Sequence, residues 1–171
     1  VQALKLVAAI ALAVLVHFVG MSFFPSLGRL VDVFLVVVAL YGLRGGSLSA
    51  LLVGLLVGLL RDSLSGGPFG LFGFADTIVG YVTARLAQRL VIQRPTGILA
   101  VVSFASLLQQ AIIIGLAFVL LPALEAPSPL DAALRAGICG LLAMAAHVLA
   151  SHGRSTLEAR RRGRMSKLRL G

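Results

Sequence analysis

Arg61 and Asp62 stand side by side in the stretch GLLVGLLRDSLSGGPFGLFGF, residues 54–74, between two long apolar runs. A guanidinium and a carboxylate hold ions, move protons or bind charged partners, and in hydrocarbon each costs at least a few kcal/mol unless protein or water solvates it. Neighbours in a helix do not face one another, so this is no internal ion pair. At similar depth the chain offers Asp32, Asp76 and Arg135. The expectation is a structural polar node of Asp32, Arg61, Asp62 and Asp76, with Arg61 meeting either Asp32 or Asp76 across helices.

Other groups that could do chemistry lack the company they need. Residues 63–70, SLSGGPFG, are glycine-rich but lack the Gly-Lys-Ser/Thr ending and the preceding strand of a phosphate loop. They read as a turn, in which glycines permit φ > 0 and Pro68 can begin the next helix. His17 and His147 lie in apolar runs and His152 begins the tail, with no ligand three or four positions away, so no metal is expected. No nucleophile elbow or other catalytic signature accompanies the serines, histidines and aspartates. Neither catalysis nor a cofactor is expected; an intramembrane enzyme is the third reading, resting on the tendency of buried charges to cluster at sites. Asp131 and Arg135, at i and i+4, are expected to pair locally. Cys139, the single cysteine, can form no intrachain disulfide and reads as a core residue.

The elements that position these groups are helices in a membrane. The chain is 59% hydrophobic and 12% charged over 171 residues, with a mean hydropathy of +1.05, where a soluble domain carries about 25% charge. Its apolar runs are continuous rather than alternating, which argues against a β-barrel. The reading is an all-α integral membrane protein, a six-helix transmembrane bundle at 1–152 followed by a basic tail at 153–171. Spans are expected at 3–24, 28–43, 47–62, 69–91, 98–121 and 130–150, separated by Gly/Pro/Arg punctuation. The first is too long for a signal peptide and has no clear cleavage site, so it is expected as a retained helix. The apolar cores of the second and third runs are short, so they either cross fully or form a re-entrant hairpin. Six crossings put twelve cations on the side of the termini against two or three on the other, which places both termini in the cytoplasm. No folded basic face or aromatic platform speaks for nucleic acid.

Small residues recur at four-residue spacing, which lets helix backbones approach closely. Gly42 and Gly46, Gly80 and Ala84, and Ala136 and Gly140 read as internal packing. Gly54, Gly58, Gly66, Gly67, Pro68 and Gly70 are candidates for a partner-binding surface, with Ala9 and Ala13 as a second one. In the tail, Arg160, Arg161, Arg162 and Arg164 are candidates for binding anionic lipid or an acidic cytoplasmic partner, beyond fixing topology.

The ordered string of Asp32 before an apolar run, Leu40-Tyr41-Gly42, the Gly45-Gly46 turn, Gly58-Leu59-Leu60-Arg61-Asp62-Ser63-Leu64-Ser65-Gly66 and Phe69-Gly70-Leu71 resembles the rod shape-determining MreD family of bacteria. The motif-bearing part covers about residues 30–90, with Val31 where the family often has proline. The resemblance implies a non-enzymatic scaffold or adaptor of the cell-elongation machinery that builds lateral peptidoglycan in the cytoplasmic membrane. The implied partners are MreC, which it would bind, and a neighbouring RodA-type glycosyltransferase, its penicillin-binding transpeptidase and MreB. It also implies a six-helix fold similar to the substrate-binding S components of vitamin transporters. A vitamin-binding S component is therefore the alternative function, with small residues on the first helix as its docking surface.

The tail gives the first test. Purified protein in neutral detergent should take up anionic lipid in a salt-sensitive manner, and a chain ended at residue 153 should take up less at low salt. Equal, salt-indifferent uptake by both would reduce the tail to a topology signal.

Overall fold

A computed structural model describes residues 2–23, 31–66, 68–89, 95–120 and 128–168, with 151–168 described as backbone alone. Among the described residues every regular element is helical: α1 (Gln2–Phe23), α2 (Val33–Gly42), α3 (Ser47–Ser65), α4 (Leu71–Arg89), α5 (Pro95–Leu120) and α6 (Pro129–Leu168). Three stretches are long and apolar enough to cross a membrane, Ser47–Ser65, Pro95–Val119 and Pro129–Ala150; Leu6–Gly20 and Val33–Gly42 are shorter apolar helices.

The short α2 is the centre of the molecule, in contact with each of the other five helices. Its sequence, VFLVVVALYG, is apolar on all sides, which is the composition of a helix with neighbours all round. Leu35, Val36 and Ala39 pack with Val79 of α4, Ile98, Val102 and Ala105 of α5, and Cys139 and Ala143 of α6. The opposite face, Phe34 and Val38, packs with Ala13 of α1 and Val53 and Val57 of α3. At ten residues, α2 extends only about 15 Å. Its expected range of 28–43 is thus shortened, with Asp32 as the N-cap and residues 28–30 outside the described ones.

Around α2 the chain forms two antiparallel hairpins, α3 with α4 and α5 with α6. The α3–α4 pair is brought close by glycine. A Cβ at Gly58 would lie 2.5 Å from the Phe72 carbonyl oxygen and 2.7 Å from Gly73 Cα; one at Gly54 would meet the Asp76 carbonyl, and one at Gly80 the Ala50 carbonyl. Gly54 and Gly58 are therefore filled by α4 and offer nothing to a partner, contrary to the sequence expectation. The reason is mutual: α4 presents its own glycines, Gly73 and Gly80, at matching heights, so the close approach is satisfied within the chain. Ala13, 1% exposed, is likewise turned inward against α2, whereas Ala9 is half-buried.

α3 runs to Ser65, past the expected boundary near 62. Gly66, in the left-handed conformation at φ +64°, ends it, and Gly70 at φ +97° precedes α4. Both positions require a backbone that a side chain disfavours. Gly67 is outside the described residues, while Pro68 is exposed between them.

Replacing Gly58 by Val should destabilise the protein by about 1–3 kcal/mol through overpacking. Gly115→Ala, where the added methyl meets nothing within 4 Å beyond its own stretch of helix backbone, should leave stability unchanged or slightly raised. Thermal unfolding in detergent distinguishes the two.

Candidate functional site: a buried charge network

Asp32 ends the chain's approach to α2 and is 2% exposed. One carboxylate oxygen, Oδ1, accepts the Leu35 amide at 3.1 Å, which caps the helix. The other, Oδ2, accepts two guanidiniums: Arg61 Nη1 from α3 at 2.5 Å and Arg135 Nη2 from α6 at 2.7 Å. The Arg61 guanidinium carbon also sits 3.7 Å from the centroid of the Phe72 ring of α4, a cation–π contact in a desolvated place. One carboxylate thus ties the start of α2 to the end of α3 and the start of α6.

Asp62, one position on, points elsewhere, because successive helical residues diverge by about 100°. Its oxygens accept the amides of Gly70 at 3.0 Å, Phe72 at 3.0 Å and Gly73 at 2.8 Å. These belong to the turn before α4 and its first residues, where amides lack partners inside the helix and the dipole favours an anion. Asp62 is a cap supplied by the neighbouring helix.

Of the two acids expected to compete for Arg61, Asp32 takes it. Asp76, fully buried on α4, instead accepts the amide of Gln109 on α5, at 2.5 Å. The expected pair of Asp131 with Arg135 is not made. Asp131 forms a capping exchange with Ser128 at the start of α6: its amide donates to Ser128 Oγ at 3.1 Å, and the hydroxyl donates to its carboxylate at 2.8 Å. Arg135 turns inward because the buried Asp32 carboxylate attracts a guanidinium more strongly than an exposed acid screened by water does.

Gln109 and Gln110 are buried polar members of this interior that the sequence reading passed over. Gln110 Nε2 donates to the Ser106 carbonyl at 3.3 Å and the Ala132 carbonyl at 3.2 Å, joining α5 to α6. Their signal was present: two amides in the middle of an apolar run have to find partners. His17 packs at 5.4 Å from Phe34, and His147 Nδ1 lies 3.2 Å from Arg44 Nη2. No three His, Cys, Asp or Glu side chains gather as a metal site among the described residues. The tail arginines Arg160, Arg161, Arg162 and Arg164 lie where side chains are outside the described ones.

The depth of the network follows from its two ends. Arg135 meets Asp32 at one end of α2, and His147, twelve positions along α6, meets Arg44 at the other. That makes α2 and α6 run in the same direction, with the two polar layers only about 18 Å apart at 1.5 Å per residue. A hydrocarbon layer is about 30 Å thick. The geometry supports helix fastening: the charges of Asp32, Arg61, Asp62 and Arg135 engage one another or backbone amides.

Compared with known proteins, the chain matches no family model, no curated protein and no solved structure. Asp32→Asn leaves two guanidiniums facing a neutral amide and should destabilise the fold by about 3–5 kcal/mol, the loss expected when one partner of a buried pair is removed. Asp131→Asn, at an exposed cap, should stay near wild type. Unfolding in a denaturing-detergent titration reads both, and equal stability of the two variants would contradict the central role given to Asp32.

Proposed function

We propose that this protein is a multi-pass scaffold of the bacterial cytoplasmic membrane, of the MreD type, which serves cell elongation by binding MreC and neighbouring lateral-wall synthases. Its bundle has six crossings, with α1, α4 and α2, the last together with the residues flanking it, completing the set begun by α3, α5 and α6, and both termini are cytoplasmic. The observation that carries this reading is the assembly of the residues bearing the resemblance. Asp32 and Arg61 form one salt bridge. Asp62 fastens the amides of Gly70, Phe72 and Gly73, at the start of α4, to the same helix end. Three polar points of the string, Asp32, Arg61 and Asp62, meet at one end of the bundle, while its Leu40-Tyr41-Gly42 and Gly45-Gly46 parts lie at the other end of α2.

In this reading the unit faces the periplasm. The charge asymmetry of the loops sets that direction, and the turn presents Phe69, 71% exposed, beside the exposed Pro68. An aromatic side chain held on a braced turn suits binding by shape to a periplasmic partner. Of the two small residues named as the docking surface of the vitamin-carrier alternative, Ala13 packs against α2 inside the molecule, which favours the scaffold reading.

Affinity purification from native membranes tests this. MreC and wall synthases should co-purify; recovery of a transporter ATPase module or a bound vitamin instead would overturn the scaffold reading. Phe69→Asp should reduce MreC recovery roughly tenfold or more without lowering the thermal midpoint.

A further inference from the structure

The buried polar groups of α4 and α5 leave a deficit that the salt bridges do not touch. Asp76 is 0% exposed and Gln109 is 0% exposed. Gln109 Nε2 donates to Asp76 Oδ1. The other atom of each group, Asp76 Oδ2 and Gln109 Oε1, is buried with no hydrogen-bond partner. Both of these orphans are acceptors when the carboxyl is ionised, and one hydrogen is what the pair lacks.

The one cation that acts strongly on Asp76, Arg61, is already bridged to Asp32. The helices packed against α4 are α2, α3 and α5. From α2 the charged group is Asp32, which is an anion; from α3 they are Asp62, also an anion, and Arg61, whose guanidinium is bridged to Asp32. α5 contributes the neutral Gln109. Arg135 of α6 is bridged to Asp32 as well. Two cations, Arg61 and Arg135, therefore balance two anions, Asp32 and Asp62. An ionised Asp76 would be a third anion, fully buried with no cation of its own, a state that buried carboxyls avoid by taking up a proton.

We propose that Asp76 is a proton-binding site: in the folded protein at neutral pH its carboxyl carries a proton and forms an acid–amide pair with Gln109. The amide donates to Oδ1, and the acid hydrogen on Oδ2 is shared with Gln109 Oε1, so that both orphans are satisfied and the interior charges sum to zero. The proton comes from solvent water when the bundle closes and returns to it when the acid ionises. This site is independent of the scaffold reading, since it depends only on how α4 meets α5.

The test is infrared spectroscopy of the whole protein, unlabelled and with carboxyl-13C aspartate. At neutral pH the wild type should show a protonated-carboxyl C=O band that moves with the 13C label and is absent from Asp76→Asn. No such band in the wild type, or one that survives in a folded Asp76→Asn, overturns the proposal. Should that variant fail to fold, Gln109→Leu serves in its place: with Asp76 intact, loss of the amide partner should shift the band to higher frequency, and an unmoved band counts against the pair. A second readout is the thermal midpoint. Raising the pH until the protonated-carboxyl band is lost should lower the wild-type midpoint by at least ~3 °C, with a smaller change in Asp76→Asn. An equal pH dependence in both proteins also overturns it.

Discussion

The fold depends on satisfying the Asp32 carboxylate inside an apolar bundle. An isolated anion there would be prohibitive, and the helices are arranged so that it is never isolated. Oδ1 caps α2, and Oδ2 receives a guanidinium from each of two helices. Attraction between buried charges scarcely exceeds what is lost in desolvating them, so such a group contributes more to a unique register than to net stability. Sliding α3 or α6 by one turn would move a guanidinium about 5.4 Å from its partner. The bridge therefore fixes which level of α3 and of α6 meets the start of α2.

A second constraint works with the first. Asp62 can reach the amides of Gly70, Phe72 and Gly73 because glycines at Gly54, Gly58 and Gly80 allow α3 and α4 to touch along their backbones. The same approach puts the Phe72 ring against the Arg61 guanidinium. Arg61 and Asp62, adjacent in the chain, thus serve two different interfaces of one hairpin: the cation fastens it to α2 and the anion seals its turn. In a bilayer, where apolar association between helices is weak, backbone proximity and satisfied polar contacts have to hold such a pair together.

α2 gives these contacts their geometry. It is too short to cross a bilayer by itself, yet it touches every other helix, and its polar boundaries, Asp32 and Arg44, are each met by α6, through Arg135 and His147. α6 is clamped at two levels against this apolar plug, and α3 at one. Polar residues deep in the bundle, including Gln109 and Gln110, are then confined to the interior, where Gln109 links α5 to α4 and Gln110 links α5 to α6.

The sequence alone determined the helical class, because hydropathy and glycine/proline punctuation are local properties that a single chain displays directly. It also singled out Asp32, Arg61, Asp62 and Asp76, because ionisable groups in apolar runs demand an account wherever they fold. The tertiary structure decided the partners. Arg61 had two acids within plausible reach and took Asp32; Arg135 left its neighbour Asp131 for Asp32, since burial strengthens a charge contact that water weakens at the surface. Gly54 and Gly58 carried the spacing of a contact face, but only the packed hairpin revealed that the face was already occupied by α4. Spacing along one helix records that close approach is permitted, whereas what approaches depends on the complementary surface of another helix.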